Sequence, residues 1–291
     1  MDMNPFRSFV RSEGVRLYRD LPWRNTRDPY QIWVSEVMLQ QTQVARVETR
    51  WERWLDRFPS VFSLAAAPVS EVLAEWQGMG YNSRALALRN AAQMVAEEFD
   101  GDFPTDEREL RKLPGIGPAT AQGIRSFAFD LPGVYLETNV RAVFLHHFFP
   151  DAPAVPDKEI AALVREACPG IAAPQDADDT PRSWYYALLD YGAYLKKTVP
   201  NPSRRARAYT RQSKFEGSRR QKRAAIVRML LSAHEAGEGA LGTLDICRDL
   251  SAQEVDAGRD PLSSADVRSI LEDLARDGFC REAEEDVWRL A

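Results

Sequence analysis

The sequence predicts an all-α fold, followed by a small domain of mixed structure at the C-terminal end. Apolar residues recur at spacings of three, four and seven along most of the chain, which is the pattern of amphipathic helices. Glycine and proline separate these stretches, and a hairpin pattern occurs only from Gly278 onward. A chain of 291 residues, 44% of them hydrophobic, is long enough for two domains and a small third.

The first predicted helix runs from Phe6 to Arg19 and ends at the turn Leu21-Pro-Trp-Arg24. A second helix is predicted from about Pro29 into the fifties, because its apolar residues keep helical spacing: Ile32, Trp33, Val37, Val44, Val47 and Trp51. Glu36 follows Ile32 and Trp33 by one turn, so we expect burial to raise the pKa of its carboxyl group. Such a group can act as a general acid; the alternative is a surface glutamate at the edge of an apolar face.

Two further helices are predicted between Val61 and Phe99, joined by the loop Trp76-Gln-Gly-Met-Gly-Tyr-Asn82. Gly78 and Gly80 mark the loop. Tyr81 at its exit either covers part of the core or presents its ring for another purpose.

A helix, a tight glycine turn and a second helix are predicted by the stretch Leu113-Pro-Gly-Ile-Gly-Pro-Ala-Thr-Ala-Gln-Gly-Ile124. Gly115 and Gly117 leave no side chain in the way, so main-chain N–H groups there can approach an oxyanion. Pro118 suits the first turn of the next helix. A DNA phosphate held in this way carries no sequence information. The alternative is a turn whose glycines only allow two helices to pack closely.

The helix after the hairpin is predicted to end at Phe129, and the next helix to begin at Glu137-Thr-Asn139. Two more helices are predicted, one around Ile160–Val164 and one from Trp184 to Leu195, with a polar, acid-rich loop before Pro181. His146 and His147 are adjacent on one of these helices and point about a hundred degrees apart. They cannot readily share a metal ion, so packing is the preferred interpretation.

Four separated motifs resemble those of the endonuclease III and MutY-like DNA glycosylases, the HhH-GPD superfamily, over about residues 15–200. They are the glycine hairpin, Ser35-Glu-Val-Met-Leu-Gln-Gln-Thr42, the Gly-x-Gly-Tyr loop and Leu136-Glu-Thr-Asn-Val140. The resemblance implies a two-lobed helical glycosylase fold. Its domains would be residues 1–27 with 133–203, and residues 28–132 carrying the helix-hairpin-helix.

The resemblance also implies roles for individual residues. Glu36 would be the general acid and Glu137 a catalytic anion, because breaking an N-glycosidic bond requires a protonated and an ionised carboxyl group. DNA contacts would come from seven residues: Gln41 as a wedge in the duplex, Tyr81 at the lesion, Asn139 at the backbone, and Pro114, Gly115, Ile116 and Gly117 in the hairpin.

Three departures from that family bear on the chemistry. Glu137 replaces its aspartate and Thr138 its glycine, so the carboxylate lies one methylene further from the backbone. Ala119 occupies the position where endonuclease III-like members carry the lysine that forms a Schiff base. Without that amine the covalent lyase route has no nucleophile, so a monofunctional glycosylase is expected.

No cofactor is expected. MutY-like proteins hold an iron–sulfur cluster with four cysteines after the segment matching Asp190-Tyr-Gly-Ala193, but Lys196 and Ser203 stand at the first two of those positions. The three cysteines, Cys168, Cys247 and Cys280, lie outside this region and lack zinc-ligand spacing. The cluster is therefore predicted to be lost, and no metal site or disulfide framework is indicated.

The net charge of −5 argues mildly against a nucleic-acid partner, but the charge is unevenly distributed. Basic residues concentrate in one stretch: Lys196, Lys197, Arg204, Arg205, Arg207, Arg211, Lys214, Arg219, Arg220, Lys222 and Arg223. Its part at residues 204–218 is predicted to be a basic linker that is either solvated or in contact with phosphates, with contact favoured.

Residues 219–291 predict a winged-helix-like domain with a helix to about Ala236, a short helix near Leu244–Leu250, a helix from Ser263 to Asp277 and a terminal hairpin. Acidic residues decorate the third helix: Asp266, Glu272, Asp273 and Asp277. Protein contact or structural support is therefore favoured over DNA reading. The tail is also too short and too helical to be the nudix-like domain of MutY enzymes.

These observations predict a monofunctional DNA N-glycosylase of base excision repair. Adenine paired with guanine or 8-oxoguanine is the leading substrate, with hypoxanthine or mispaired thymine as alternatives. A non-catalytic DNA-structure binder or regulator is the alternative from another class. Double-stranded DNA is the expected partner, and a monomer is the default for the family that the chain resembles. A cytosolic location is expected, because neither a signal peptide nor a membrane-length apolar run is present in the sequence.

Overall fold

The computed structural model describes residues 2–170, 179–210 and 213–291, and most of them are helical. These residues form fourteen α-helices: α1 (Asn4–Arg16), α2 (Pro29–Met38), α3 (Val44–Arg57), α4 (Val61–Ala66), α5 (Val69–Trp76), α6 (Ser83–Glu98), α7 (Glu107–Leu110), α8 (Pro118–Phe129), α9 (Thr138–Phe148), α10 (Asp157–Ala167), α11 (Pro181–Thr198), α12 (Arg219–Glu235), α13 (Thr243–Asp256) and α14 (Ser264–Arg276). They also form three short strands: β1 (Leu241–Gly242), β2 (Cys280–Glu284) and β3 (Val287–Leu290). The predicted helical fold class is confirmed.

The single helix predicted from Pro29 into the fifties is wrong, because α2 ends at Met38 and α3 begins at Val44. Gln41, between them, has a φ of 55°, in the left-handed region that interrupts a right-handed helix. Apolar spacing continues across this break, so periodicity alone could not reveal it. Similarly, α4, α5 and α6 occupy the segment where two helices were predicted.

The chain divides by its internal contacts into two compact units. The first comprises Met1–Glu52 and Asp102–Arg211, and the second comprises Arg53–Gly101 and Gln212–Ala291. The division passes within α3. It differs from the boundaries expected at residues 27, 132, 203 and 218, which stay a prediction.

The core of the first unit is an aromatic cluster between α8, α9 and α11. Phe127, Phe144, Trp184, Tyr185 and Leu188 are almost fully buried there. Burying side chains of this size supplies much of the favourable free energy of folding. The cluster therefore holds α8 and α9, which carry residues of the candidate site, against α11.

A buried ion pair joins the turn after α1 to α11. Arg24 donates two hydrogen bonds to Asp190, at 2.7 and 2.8 Å, and both side chains are 1% exposed. The guanidinium also lies over the ring of Tyr186, 4.4 Å from its centroid. This ion pair thus joins two segments noted in the sequence, Leu21-Pro-Trp-Arg24 and Asp190-Tyr-Gly-Ala193.

The start of the predicted basic linker belongs to the packed first unit. Pro202–Arg205 forms a 3-10 turn in which Pro202 and Ser203 are buried. The chain then pairs with Val155, whose N–H donates to the carbonyl of Arg205 at 2.7 Å and whose carbonyl accepts from Arg207 at 2.9 Å. The backbone at residues 205–207 is therefore bonded to the first unit, whereas the side chains of Arg204 and Arg207 are exposed. Arg211 and the acid-rich loop at 171–178 lie outside the described residues.

The helices of the second unit before residue 101 pack around tryptophans. The rings of Trp54 and Trp76 meet edge to face with centroids 5.4 Å apart, and Phe58 lies 4.9 Å from Trp54. All three side chains are at most 1% exposed. This hydrophobic cluster supports the loop that follows α5.

The C-terminal residues form the predicted winged-helix-like arrangement of α12–α14 with an antiparallel sheet in the order β1-β3-β2. Leu241 pairs with Trp288, and Cys280 pairs with Leu290. Ser263 caps α14 through a reciprocal capping box with Asp266, and Gly278 follows the helix with a φ of 81°. The predicted N-cap at Ser263 and the predicted end of the helix at Gly278 are confirmed.

Acidic residues in this domain are paired with basic residues of α12. Arg219 pairs with Asp273, Arg223 with Asp277, and Lys222 with Glu254. These pairs link α12 to α13 and α14, so the acids of α14 have a structural role. None of the described helices is both long enough and apolar enough to span a bilayer.

Candidate functional site

Glu36 lies in the last two turns of α2, a helix that begins at a well-formed cap. The carboxylate of Asp28 accepts a hydrogen bond from the Tyr30 N–H at 2.8 Å, and Pro29 occupies the first helical position. Ser35 and Val37 on either side of Glu36 are buried, while Glu36 itself is partly buried. The helix therefore presents a single carboxyl group from an otherwise apolar surface.

The carboxyl group of Glu36 contacts two residues that are remote in sequence. The phenolic O–H of Tyr135 donates to Oε2 at 2.9 Å. Gly123 in α8 lies so close that an added Cβ would overlap with Oε2. A glycine inside a helix costs about 1 kcal/mol of stability relative to alanine, so its position here is explained by the space it leaves for Glu36.

Glu137 lies at the N-terminus of α9, where its side chain caps the helix. Oε1 accepts hydrogen bonds from the N–H groups of Asn139 and Val140, the latter at 2.8 Å, and the Asn139 side-chain amide lies 3.4 Å from Oε2. A carboxylate at this place is favoured by the helix dipole as well as by the amide donors. The extra methylene relative to aspartate therefore still permits a capping geometry.

The two carboxyl groups have different electrostatic surroundings. Burial raises the pKa of Glu36 to about 8; the hydrogen bond from Tyr135 opposes the shift, and the charge of Glu137 adds to it. Burial also raises the pKa of Glu137, but the amides of Val140 and Asn139 and the charges of Lys196 and Arg141 oppose that rise. Glu137 therefore ionises first, and Glu36 keeps its proton at neutral pH. The first unit thus holds a protonated and an ionised carboxyl group, close enough for the charge of Glu137 to raise the pKa of Glu36.

A lysine completes the surroundings of Glu137. Lys196 in α11 donates a hydrogen bond to Oδ1 of Asn139 at 2.9 Å. Asn139, expected at the DNA backbone, therefore also lies beside the carboxylate of Glu137.

The glycine hairpin has the predicted form. Gly115 has a φ of 76°, Gly117 precedes α8 in an extended conformation, and Pro118 is the first helical residue. Gly115 and Gly117 are exposed, whereas the side chain of Ile116 is buried. The N–H of Ile116 donates to the carbonyl of Leu113 at 3.2 Å, so an anion would meet the amides of Gly117 and the first turn of α8 instead.

The hairpin and the acid are connected through α2 and α8, which pack against each other. The side chain of Gln40 donates to Thr120 in the first turn of α8 at 3.0 Å. Gln41 follows and is exposed in the turn after α2. The first unit therefore contains Glu36, Gln41, the hairpin, Glu137 and Asn139.

Tyr81 belongs to the second unit and has a φ of 49°, in the left-handed region. Arg220 of α12 donates to its hydroxyl group at 2.9 Å, and Arg84 of α6 also lies over its ring. The partly buried ring is therefore held by two guanidinium groups. The C-terminal domain contributes one of them.

The residues at the expected cluster positions do not fit an iron–sulfur cluster. Lys196 offers an ammonium group, and Ser203 donates its hydroxyl to the carbonyl of Thr138 at 3.2 Å; neither can replace a thiolate ligand. Within residues 2–170, 179–210 and 213–291 no group of three or more histidine, cysteine or acidic side chains could hold a metal ion. The rings of His146 and His147 are nearly perpendicular, and His147 bonds to the hydroxyl of Tyr191.

Tyr135, Gly123 and Lys196 were not identified as site residues from the sequence pattern. Gly123 carries a usable signal, because a glycine inside an apolar helix indicates close approach of another group. Tyr135 and Lys196 carry none, since Tyr135 reaches Glu36 and Lys196 reaches Asn139 from segments far away in sequence.

Comparisons with known proteins agree with this architecture. Residues 34–169 match the HhH-GPD superfamily base excision DNA repair protein profile. The adenine DNA glycosylase of Mycobacterium tuberculosis is 35% identical over 237 residues, which cover 75% of this chain and 76% of that protein. The adenine DNA glycosylase of Mycolicibacterium smegmatis is 40% identical over 179 residues, covering 60% and 58%. A Buchnera aphidicola adenine DNA glycosylase is 38% identical over 130 residues, and the chain spans 37% of its length.

Solved structures show the same fold. A thermostable thymine-DNA glycosylase superposes with a TM-score of 0.56 at 23% identity, covering 65% of this chain and 85% of the other. An endonuclease III bound to DNA gives a TM-score of 0.51 at 19% identity, covering 68% and 87%. The profile match and the mycobacterial relative establish the family: the chain belongs to the HhH-GPD superfamily of base excision DNA repair proteins.

Proposed function

We propose that the protein is a monofunctional DNA N-glycosylase that excises a mispaired or damaged base from duplex DNA. The observation that carries the proposal is a pair of carboxyl groups in the unit that holds the glycine hairpin: Glu36, bonded to Tyr135 and packed on Gly123, and Glu137, which caps α9. Burial favours the protonated form of Glu36, and the amide donors and nearby cations favour the ionised form of Glu137. A protein that only bound DNA would have no need for two desolvated acids that interact electrostatically, because burying an ionisable group is costly.

The chemistry assigned to Glu36 is proton donation to the leaving base. Tyr135 occupies Oε2 as a donor, so the carboxyl proton is carried on Oε1 and can point toward a purine ring nitrogen. As the N-glycosidic bond breaks, its electron pair moves to the base, and the proton from Glu36 neutralises it. The base must first be flipped out of the stack.

The role assigned to Glu137 is stabilisation of the positive charge that develops on the sugar. Its carboxylate can do so electrostatically or by a transient bond to the sugar carbon. Water then adds its oxygen to that carbon and releases a proton, which leaves an abasic site. Ala119 provides no amine, so this scheme includes no Schiff base and no strand cleavage.

Adenine is the base we propose, paired with guanine or 8-oxoguanine. Relatives named adenine DNA glycosylase that are 35 to 42% identical to this chain support that choice. Hypoxanthine and mispaired thymine are the competing substrates. The thymine-DNA glycosylase shares the fold at 23% identity and does not bear on the choice.

Duplex DNA is the proposed partner, held through a phosphate at the hairpin, with Gln41 and Tyr81 probing the base pair. We further propose that the protein acts as a monomer on chromosomal DNA in the cytoplasm, and that the C-terminal domain is available for a protein partner. The loss of the iron–sulfur cluster stays a prediction that iron and sulfide analysis of the purified protein can test.

The experiment is a panel of duplexes carrying adenine, hypoxanthine, uracil or thymine in defined pairs, incubated with the protein and then treated with alkali to reveal abasic sites. Release of adenine opposite guanine or 8-oxoguanine is the expected result, with no cleavage before alkali and no adduct trapped by borohydride. If wild type and Glu36→Gln bind every duplex and are equally inert on all of them, the protein is a DNA-structure binder instead.

A further inference from the structure

The N-terminal turn of α9 lies unusually close to α11. A Cβ added to Gly192 would overlap with the carbonyl oxygen of Asn139, so only glycine allows this approach. Lys196 is one helical turn further along the same face of α11, and its ammonium group reaches Oδ1 of Asn139 at 2.9 Å. The contact is therefore fixed by helix packing.

The lysine determines how the amide of Asn139 is oriented. An ammonium group only donates hydrogen bonds, so the atom facing it must be the amide oxygen. The amide nitrogen then faces Oε2 of Glu137 at 3.4 Å, while the backbone N–H of the same residue donates to Oε1. Both oxygens of the carboxylate are thus faced by donors of one residue, and Lys196 holds that residue in place.

Among the residues that the structure describes, Lys196 forms no direct ion pair, and its charge acts on Glu137. Arg141, the other cation near Glu137, is engaged by Asp157 through two hydrogen bonds of 2.8 and 3.0 Å. The net positive field at Glu137 therefore comes mainly from Lys196.

From these contacts we propose that Lys196 is a positioning residue for the reaction, which acts through Asn139 to hold Glu137 in place as an anion. The inference rests on the proposed function. Lys196 and Ser203 occupy the positions where the resembling enzymes carry cluster cysteines, and both bond to the first turn of α9. In this chain, direct hydrogen bonds from Lys196 and Ser203 thus hold the first turn of α9, next to Glu137.

The test measures single-turnover base release against pH for wild type, Lys196→Met and Lys196→Arg, together with duplex affinity. Four ionisable groups face Glu137: Lys196 from α11, Arg141 on α9, Glu36 from α2 and Tyr135 from the segment before α9. Losing only the lysine should raise the pKa of Glu137, so the acidic limb of the rate profile should move to higher pH by about one unit. We expect the rate at neutral pH to fall about tenfold in Lys196→Met and Lys196→Arg to recover most of it.

Lys197→Met is the matched control, since Lys197 is the next residue of the same helix and is exposed. It removes the same charge from the surface, so it can weaken duplex binding but should leave the acidic limb unchanged. The inference is overturned if Lys196→Met keeps the wild-type pH profile. It is also overturned if the substitution lowers only duplex affinity and the dependence of that affinity on salt, and leaves the single-turnover rate unchanged.

A direct titration separates this inference from the proposed function. Carboxyl-labelled glutamate allows the Glu137 signal to be followed by 13C NMR without substrate, with Glu137→Gln used for assignment. A higher pKa for Glu137 in Lys196→Met supports the inference even if the duplex panel shows no activity. An unchanged titration overturns it even if the enzyme proves active.

Discussion

Gly123 leaves the space in which the carboxyl group of Glu36 lies. The glycine is in the interior of α8 and the acid is near the end of α2, and a methyl group at position 123 would overlap with Oε2. The helix that follows the glycine hairpin thus shapes the position of the candidate acid.

Gly123→Ala should abolish most activity without unfolding the protein. The added methyl group meets the flexible end of the Glu36 side chain, which can move away at low cost. A displacement of about 1 Å at a reacting group can cost about 100-fold in rate. We expect a single-turnover rate lowered by about that factor, a melting temperature close to wild type and unchanged duplex affinity. A fully active Gly123→Ala protein would mean that the Glu36 carboxyl does not work from this position.

Activity should depend on pH as a bell-shaped curve. Glu36 must be protonated, so the rate should fall as the pH rises through about 8. Glu137 must be ionised, so the rate should fall as the pH drops through its pKa, which burial raises above the ordinary 4.5. Single-turnover rates at saturating protein measure both limbs. A rate that keeps rising above pH 9 would contradict the assignment of Glu36.

Tyr135→Phe should move the alkaline limb to higher pH. The phenol donates to the carboxyl group and thereby lowers the pKa of Glu36, so its removal should raise that pKa. A hydrogen bond of this kind contributes about 1 kcal/mol, which corresponds to roughly 0.7 of a pH unit. Tyr186→Phe is a suitable comparison, because Tyr186 is also a buried tyrosine of the first unit and donates no hydrogen bond to Glu36 among the described contacts. An alkaline limb at the same pH in Tyr135→Phe and wild type would show that the phenol does not affect the pKa of Glu36.

Glu36→Gln should make the fold more stable at alkaline pH. A carboxyl group with a pKa of 4.5 when unfolded and about 8 when folded binds more protons in the folded state between these values. Stability therefore falls as the pH rises through this window, by up to about 5 kcal/mol. Glutamine keeps an acceptor for Tyr135 and carries no charge. Urea unfolding should show the gain of the variant at pH 9 and its near absence at pH 4; equal stability at pH 9 would refute the raised pKa.

Gly117→Ala should weaken DNA binding without affecting the fold. A Cβ at this position meets no protein atom within 4 Å, and its φ of −83° suits alanine. If a phosphate approaches the main chain here, the methyl group will obstruct it and raise Kd about tenfold, a cost of roughly 1.4 kcal/mol. Equilibrium binding to an uncleavable duplex measures this. Affinity equal to wild type would indicate that the hairpin glycines serve only helix packing.

Much of this site follows from local sequence. Asp28-Pro29 predicts the start of α2, Glu137 lies where a new helix begins, and the glycine hairpin has the conformation its residues favour. In the C-terminal domain, Ser263 marks the start of α14 and Gly278 marks its end before the hairpin. Each of these features depends on residues only a few positions apart.

The remaining features depend on contacts between distant segments. Tyr135 reaches Glu36 across 99 positions, and Lys196 reaches Asn139 across 57, so no periodicity within one helix contains either contact. The break after α2 was also missed, because Gln41 adopts a left-handed conformation without being glycine or asparagine. Tertiary packing decides these conformations.

The most direct test of the account compares wild type with Glu36→Gln on the duplex that the wild-type protein cleaves fastest. Single-turnover release of the base and equilibrium affinity for the same duplex are measured at neutral pH. We expect Glu36→Gln to bind with wild-type affinity and to release the base at least about 100-fold more slowly, as is typical for loss of a general acid. A Glu36→Gln protein that releases the base at the wild-type rate would contradict the account.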